Sequence, residues 1–154
     1  MSMRKAILTT PLLIIMVFLI AWAVARAADS QPGQSSGQPA ALFKIPFEFR
    51  AGGKKIPAGE YWFGFNQAGK LLLRQTSTGK ELELQVLEKL SPPEQPPAEP
   101  RLVFDEVGDF APSYTEYFTV YVLSKIWLSA QDGFLIHVTK SQHKEKTVSG
   151  TPAR

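Results

Sequence analysis

Between residues 43 and 50 the side chains alternate, with Phe43, Ile45, Phe47 and Phe49 on one parity and Lys44, Pro46, Glu48 and Arg50 on the other. Period two is the pattern of a half-buried strand, because successive side chains of an extended backbone point to opposite faces. A helix would bring its apolar positions round every three or four residues instead. Pro46 has no amide hydrogen to give to a ladder, so this strand is expected at a sheet edge or bent at the proline.

The rest of the chain is punctuated for more strands. Ala51-Gly52-Gly53-Lys54-Lys55 reads as a turn, and Pro57 and Gly59 set a bend before the aromatic run Tyr61–Phe65. Asn66–Gly69 and Thr76–Gly79 bracket a strand at Leu71–Gln75. Leu82, Leu84 and Val86 then alternate with Glu81, Glu83 and Gln85, which favours strand over helix despite the helix-forming composition. Five prolines between Ser91 and Pro100 exclude a helix or an interior strand. They make residues 91–100 an extended loop, either a stiff connector or a docking peptide for an aromatic groove. Leu102-Val103-Phe104 opens another strand, ended by Gly108-Asp109. In the long run 115–128, Phe118, Val120, Val122, Ser124, Ile126 and Leu128 share one parity and are expected to face the core. Tyr117, Tyr121 and Trp127 fall on the other. Ala130–Gly133 turns the chain into a last strand carrying Phe134, Ile136 and Val138, and residues 141–154 read as a polar tail. About seven strands with short connections and no crossover helix predict an all-β domain over 41–140, an antiparallel sandwich or small barrel.

The segment before this domain is of another kind. Met1–Lys5 is basic, Ile7–Val24 is apolar but for Thr9, Thr10 and Pro11, and Ala25-Arg26-Ala27 precedes Ala28. That is the order of an export signal, residues 1–27, cleaved between Ala27 and Ala28. If uncleaved, the same stretch is only slightly short of the roughly 20 apolar residues that anchor a chain in a membrane. Either way the domain is expected outside the cytoplasm, periplasmic or secreted, with any membrane contact made through the N-terminal segment. Residues 28–40, rich in Gln, Ser, Gly and Pro, form a linker with too little apolar surface to order itself.

Charge and composition narrow the function. Arg4, Lys5 and Arg26 account for the whole formal charge of +3, so the remainder is neutral and offers no basic field for nucleic acid. With no Cys there is no disulfide framework, thiolate metal site, Cys nucleophile or lipid-anchoring Cys. His137 and His143 are the two imidazoles, and a metal would need a third ligand such as Glu145 or Asp132. Their six-residue spacing fits no metal motif with a mechanism behind it. No Ser sits in a nucleophile elbow or beside a readable His–Asp pair. Asp105 and Glu106, adjacent on a strand, should point to opposite faces, and with Asp109 they read as a solvated strand end. No cofactor is implied. The aromatic residues Trp62, Tyr117, Tyr121 and Trp127 are the candidate binding set, either lining a ligand face or capping the core with their polar atoms in water.

Phe43-x-Ile45-Pro46-Phe47-x-Phe49, followed by Gly53-Lys54-x-Ile56-Pro57-Ala58-Gly59-x-Tyr61, resembles small exported bacterial β-proteins of unknown function. Leu102-Val103-Phe104, Gly108-Asp109, Leu123-Ser124-x-Ile126-Trp127, Asp132-Gly133 and His137-x-Thr139-Lys140-x-x-His143 follow in the order of that group. The resemblance implies an envelope or secreted location and a β fold, and brings no catalytic residues. The expectation is thus a non-enzymatic exported domain that binds a small apolar or amphipathic ligand or another envelope component. The alternatives are a metal-dependent hydrolase using His137 and His143, and a structural envelope protein that assembles through a sheet edge.

Overall fold

The computed structural model describes residues 38–110 and 117–153, apart from the side chains of Asp109, Phe110 and Tyr117. The export signal, its Ala27–Ala28 boundary and most of the linker lie outside the described residues. Among the described residues no helix is long and apolar enough to cross a membrane.

The described residues form eleven strands: β1 (Ala41–Ile45), β2 (Phe49–Ala51), β3 (Lys54–Ile56), β4 (Gly59–Phe65), β5 (Leu71–Gln75), β6 (Glu81–Glu83), β7 (Glu88–Leu90), β8 (Arg101–Phe110), β9 (Tyr117–Trp127), β10 (Gly133–Leu135) and β11 (Lys144–Pro152). Nine of them lie on one hydrogen-bonded path, β3-β2-β9-β8-β11-β1-β4-β5-β6. The sheet curls into a half-barrel, so the expected all-β class holds, as one curled sheet rather than two stacked ones. β10 adds to the edge of β9 beyond β2, and β7 adds to β10. The run 81–90 links the two ends of the curl. Leu84 N donates to Leu71 O at 2.9 Å on the β5 side, and Leu87 N donates to Leu135 O at 2.8 Å on the β10 side.

The extra strands arise where the sequence reads as turn or tail. The proline at 46 ends β1, and the chain resumes as β2 in another part of the sheet, so the expected bend is a full change of neighbour. Gly52 and Gly53, with φ of +57° and +75°, make a two-residue turn that pairs Ala51 with Lys54, and the two lysines after it become β3. Positive φ at both central positions is the geometry that suits the twist of a hairpin and favours glycine. Among the described residues all strand pairs are antiparallel except one: β2 meets β9 in parallel, at Arg50 opposite Val122. The segment 141–154, expected as a polar tail outside the domain, instead supplies β11, a central strand bonded to β8 on one side and β1 on the other. Its hydrogen-bonded neighbours, rather than its own apolarity, keep it in the sheet.

The concave face holds the core. Phe43, Ile45, Phe49, Tyr61, Phe63, Phe104 and Leu123 are all buried there. Phe43 meets Phe63 edge-on at 5.3 Å, and Phe49 meets Phe104 at 5.3 Å and Tyr61 at 5.6 Å. Such edge-to-face pairs contribute roughly 0.5–1.5 kcal/mol each beyond the area they bury.

The expected core face of β9 is corrected by a bulge. Val103 lies opposite Lys125 and Phe104 opposite Leu123, which leaves Ser124 as the extra residue. Inserting one residue moves every later side chain to the other face. Tyr121 and Leu123 therefore pack inward before the bulge, and Ile126 and Leu128 after it. Phe118, expected inside, is 42% exposed. Ser124 itself is buried but satisfied: its hydroxyl donates to Val103 O at 3.1 Å, and its carbonyl accepts from Ile136 N at 2.7 Å.

Candidate functional site

The four aromatic residues singled out from the sequence are not brought together. Trp62 lies on the convex face of β4, between the inward-facing Tyr61 and Phe63. Its ring lies close against Gly64, and the Arg74 guanidinium stacks over it at 4.5 Å. Trp127 is buried outside the main core cluster, its ring against Gly133 on β10. Tyr117 begins β9, and its side chain is not among those described. Tyr121 lines a cavity.

That cavity follows from the strand layout. β2 bonds to β9 only at Arg50–Val122, so ahead of this pair the two strands run apart. The gap is about 350 Å³, walled by Phe47 and Phe49 on one side and by Phe118, Val120 and Tyr121 on the other, with Arg50 beside them. Its size lies within the ordinary range of small-molecule pockets. Phe47 and Tyr121 stack at 4.2 Å with a 35° tilt. Behind them the Lys146 ammonium lies 4.8 Å from the Phe47 ring and 4.9 Å from the Tyr121 ring. The Tyr121 hydroxyl donates to Glu106 Oε1 at 3.3 Å. A cation on the ring faces adds about 0.5–1 kcal/mol at partly exposed sites and holds the pair in place. Phe118 is open to solvent at the mouth, and among the described residues Arg50 forms no ion pair. Lys55, which also borders the gap, is paired with Glu48 at 2.9 Å. Phe47 and Phe118 were read as core residues from their parity: Phe47 does pack against the core, edge-on to Phe104 at 5.2 Å, whereas the bulge at Ser124 leaves Phe118 at the rim.

The two histidines are separated. After β10 the chain crosses to β11, and His137 lines a convex-side cavity with Val107, Val120 and Val122. His143 lies at the other end of the connection, 3.6 Å from Asp105 through Nε2. Asp105, His143 and Glu145 bring one ligand-type atom each to within 4.8 Å of one another. Asp132, the other candidate third ligand, instead accepts from Ser129 Oγ at 2.6 Å in its own turn and faces Lys89 at 3.7 Å. Asp105 and Glu106 do point to opposite faces, as the pleat requires. The expected solvated strand end is corrected, however, for Asp105 is 3% exposed.

Comparison of the chain with known protein families, with curated proteins and with solved structures gave no match.

Proposed function

We propose that this chain is an exported, non-enzymatic β-domain that binds a small amphipathic anion in the cavity between β2 and β9. The observation that carries the reading is the composition of that gap. Two stacked rings held by Lys146, a third ring open to water and a guanidinium with no ion pair among the described residues lie around one cavity of about 350 Å³. The apolar part of a ligand would rest on Phe118 and Val120, on the outward parity of β9, with the inward-facing Phe47–Tyr121 pair closing the gap on its inner side, where removing water from apolar surface supplies the affinity. An acidic head group would meet Arg50, whose planar fork of donors suits a carboxylate or phosphate. Export is supported by the basic, apolar and small-x-small order of residues 1–28.

Decanoate is a suitable probe, with a ten-carbon apolar tail and one carboxylate. Titrated into the protein, it is expected to bind saturably and to quench or shift the Tyr121 and Phe118 ring signals in NMR spectra. Phe118→Ser and Arg50→Gln change exposed side chains outside the core, so both variants should stay folded and bind at least fivefold more weakly. Binding that is unchanged in both variants would sink the assignment.

A further inference from the structure

We propose that Asp105, His143 and Glu145 form a binding site for a divalent transition-metal cation of the Zn²⁺ class on the convex face of β8 and β11. This goes beyond the ligand cavity between β2 and β9 and does not depend on it.

Strand register sets the site up. Glu145 is the direct cross-strand partner of Asp105, so the two carboxylates rise from the same face. His143 stands just ahead of β11, at the end of the connection that crosses from β10. The geometry of the group then suits a cation. His143 Nδ1 lies 2.8 Å from Ser141 O, and since a carbonyl only accepts, that nitrogen carries the hydrogen. A backbone carbonyl on one ring nitrogen, with the other aimed at a carboxylate, is how metal-binding imidazoles are commonly oriented. Nε2 faces Asp105 Oδ1 across 3.6 Å, and among the described residues no other group is within ion-pair distance of this carboxylate. Its side chain is only 4% exposed, so water does little to compensate it. Donor atoms bound at about 2.0–2.2 Å in a tetrahedral Zn²⁺ site sit roughly 3.3–3.6 Å apart, which matches the His143–Asp105 separation.

Glu145 is the adjustable ligand. It is half-exposed and now pairs with the Lys125 ammonium at 2.6 Å. Lys125 is thus the resident cation of the group, and a metal would displace it. His143 also borders an open cleft of about 730 Å³, with Glu106, Gly108 and Thr119 across it, which leaves a fourth position accessible to water. One imidazole and two carboxylates are hard to borderline donors, suited to Zn²⁺ or Co²⁺ rather than to soft ions.

The test is to titrate the full chain, made without a polyhistidine tag and stripped with chelator, with ZnCl₂ in a calorimeter and with CoCl₂ by visible absorption. One equivalent is expected, with the absorption of a low-coordinate Co²⁺ site. His143→Gln should weaken Zn²⁺ at least tenfold, while His137→Gln should leave it unchanged. Lys125→Met removes the competing ammonium from outside the ligand set and should tighten binding at least threefold. The proposal is overturned by an absence of stoichiometric binding, by undiminished affinity in His143→Gln, or by equal weakening in His137→Gln. Should His143→Gln fail to fold, Lys125→Met decides alone: unchanged or weaker binding rejects the site.

Discussion

At Gly150 a side chain would have nowhere to go. A Cβ there would lie 2.5 Å from the Phe43 ring and 2.6 Å from the Leu42 carbonyl oxygen, so the close approach of β11 to β1 depends on a hydrogen at that position. Gly150→Ala is expected to cost about 1–3 kcal/mol, read as a lower urea midpoint with an unchanged slope. Tyr61 carries a second residue-scale consequence. Its hydroxyl donates to Pro57 O at 2.6 Å, and burial pushes its pKa above the ordinary value of 10.0. A group that holds its proton more tightly when folded adds stability that is complete below the unfolded pKa and is lost as pH rises above it. Denaturation at rising pH should therefore show a loss beginning near pH 10 that is smaller in Tyr61→Phe, a variant that also forfeits about 1 kcal/mol at neutral pH for the lost hydrogen bond.

At the scale of elements, period two found β1, and turn punctuation around aromatic and apolar runs found β4, β5 and the start of β8. β11 was not legible, because Lys144–Pro152 contains one large apolar residue, Val148, and is held by backbone bonds to two neighbours. Nothing in a side-chain pattern reports that kind of support. The inward face of β9 was also misread, for a reason that lies between residues rather than in them. Phe118, Val120 and Val122 carry the same apolar parity as Ile126 and Leu128, and only the pairing of Ser124 against Val103 and Phe104 breaks the run. Deletion of Ser124 removes the extra residue and puts Leu123, Ile126 and Leu128 on one parity, so all three stay inward without the bulge. The variant is expected to keep a cooperative thermal transition, and Ser124→Ala, which removes one hydrogen bond to Val103 O, should cost about 1 kcal/mol. A deletion that abolished the transition would contradict the bulge at Ser124.

Across the whole molecule, the candidate sites arise where the curled sheet is incomplete. The cavity exists because β2 touches β9 at one pair and then diverges, and the cation group exists because the β10–β11 connection lays His143 over the convex face of β8. Of the binding residues proposed from composition, Tyr121 reaches a cavity, while Trp62 and Trp127 lie against Gly64 and Gly133 on separate parts of the sheet. Aromatic content could be read from the chain, but convergence could not, since it depends on which strands become neighbours. His143 was found as a candidate ligand, yet its partner Asp105 lies 38 residues earlier and was expected in solvent. The central claim is that the gap between β2 and β9 holds an amphipathic anion. Its most direct test is paired native and denaturing mass spectrometry of the protein recovered from its own host. The account predicts extra mass in the native spectrum that disappears on denaturation and is absent from Phe118→Ser/Arg50→Gln. A bare native mass, or extra mass retained by that double variant, would contradict it.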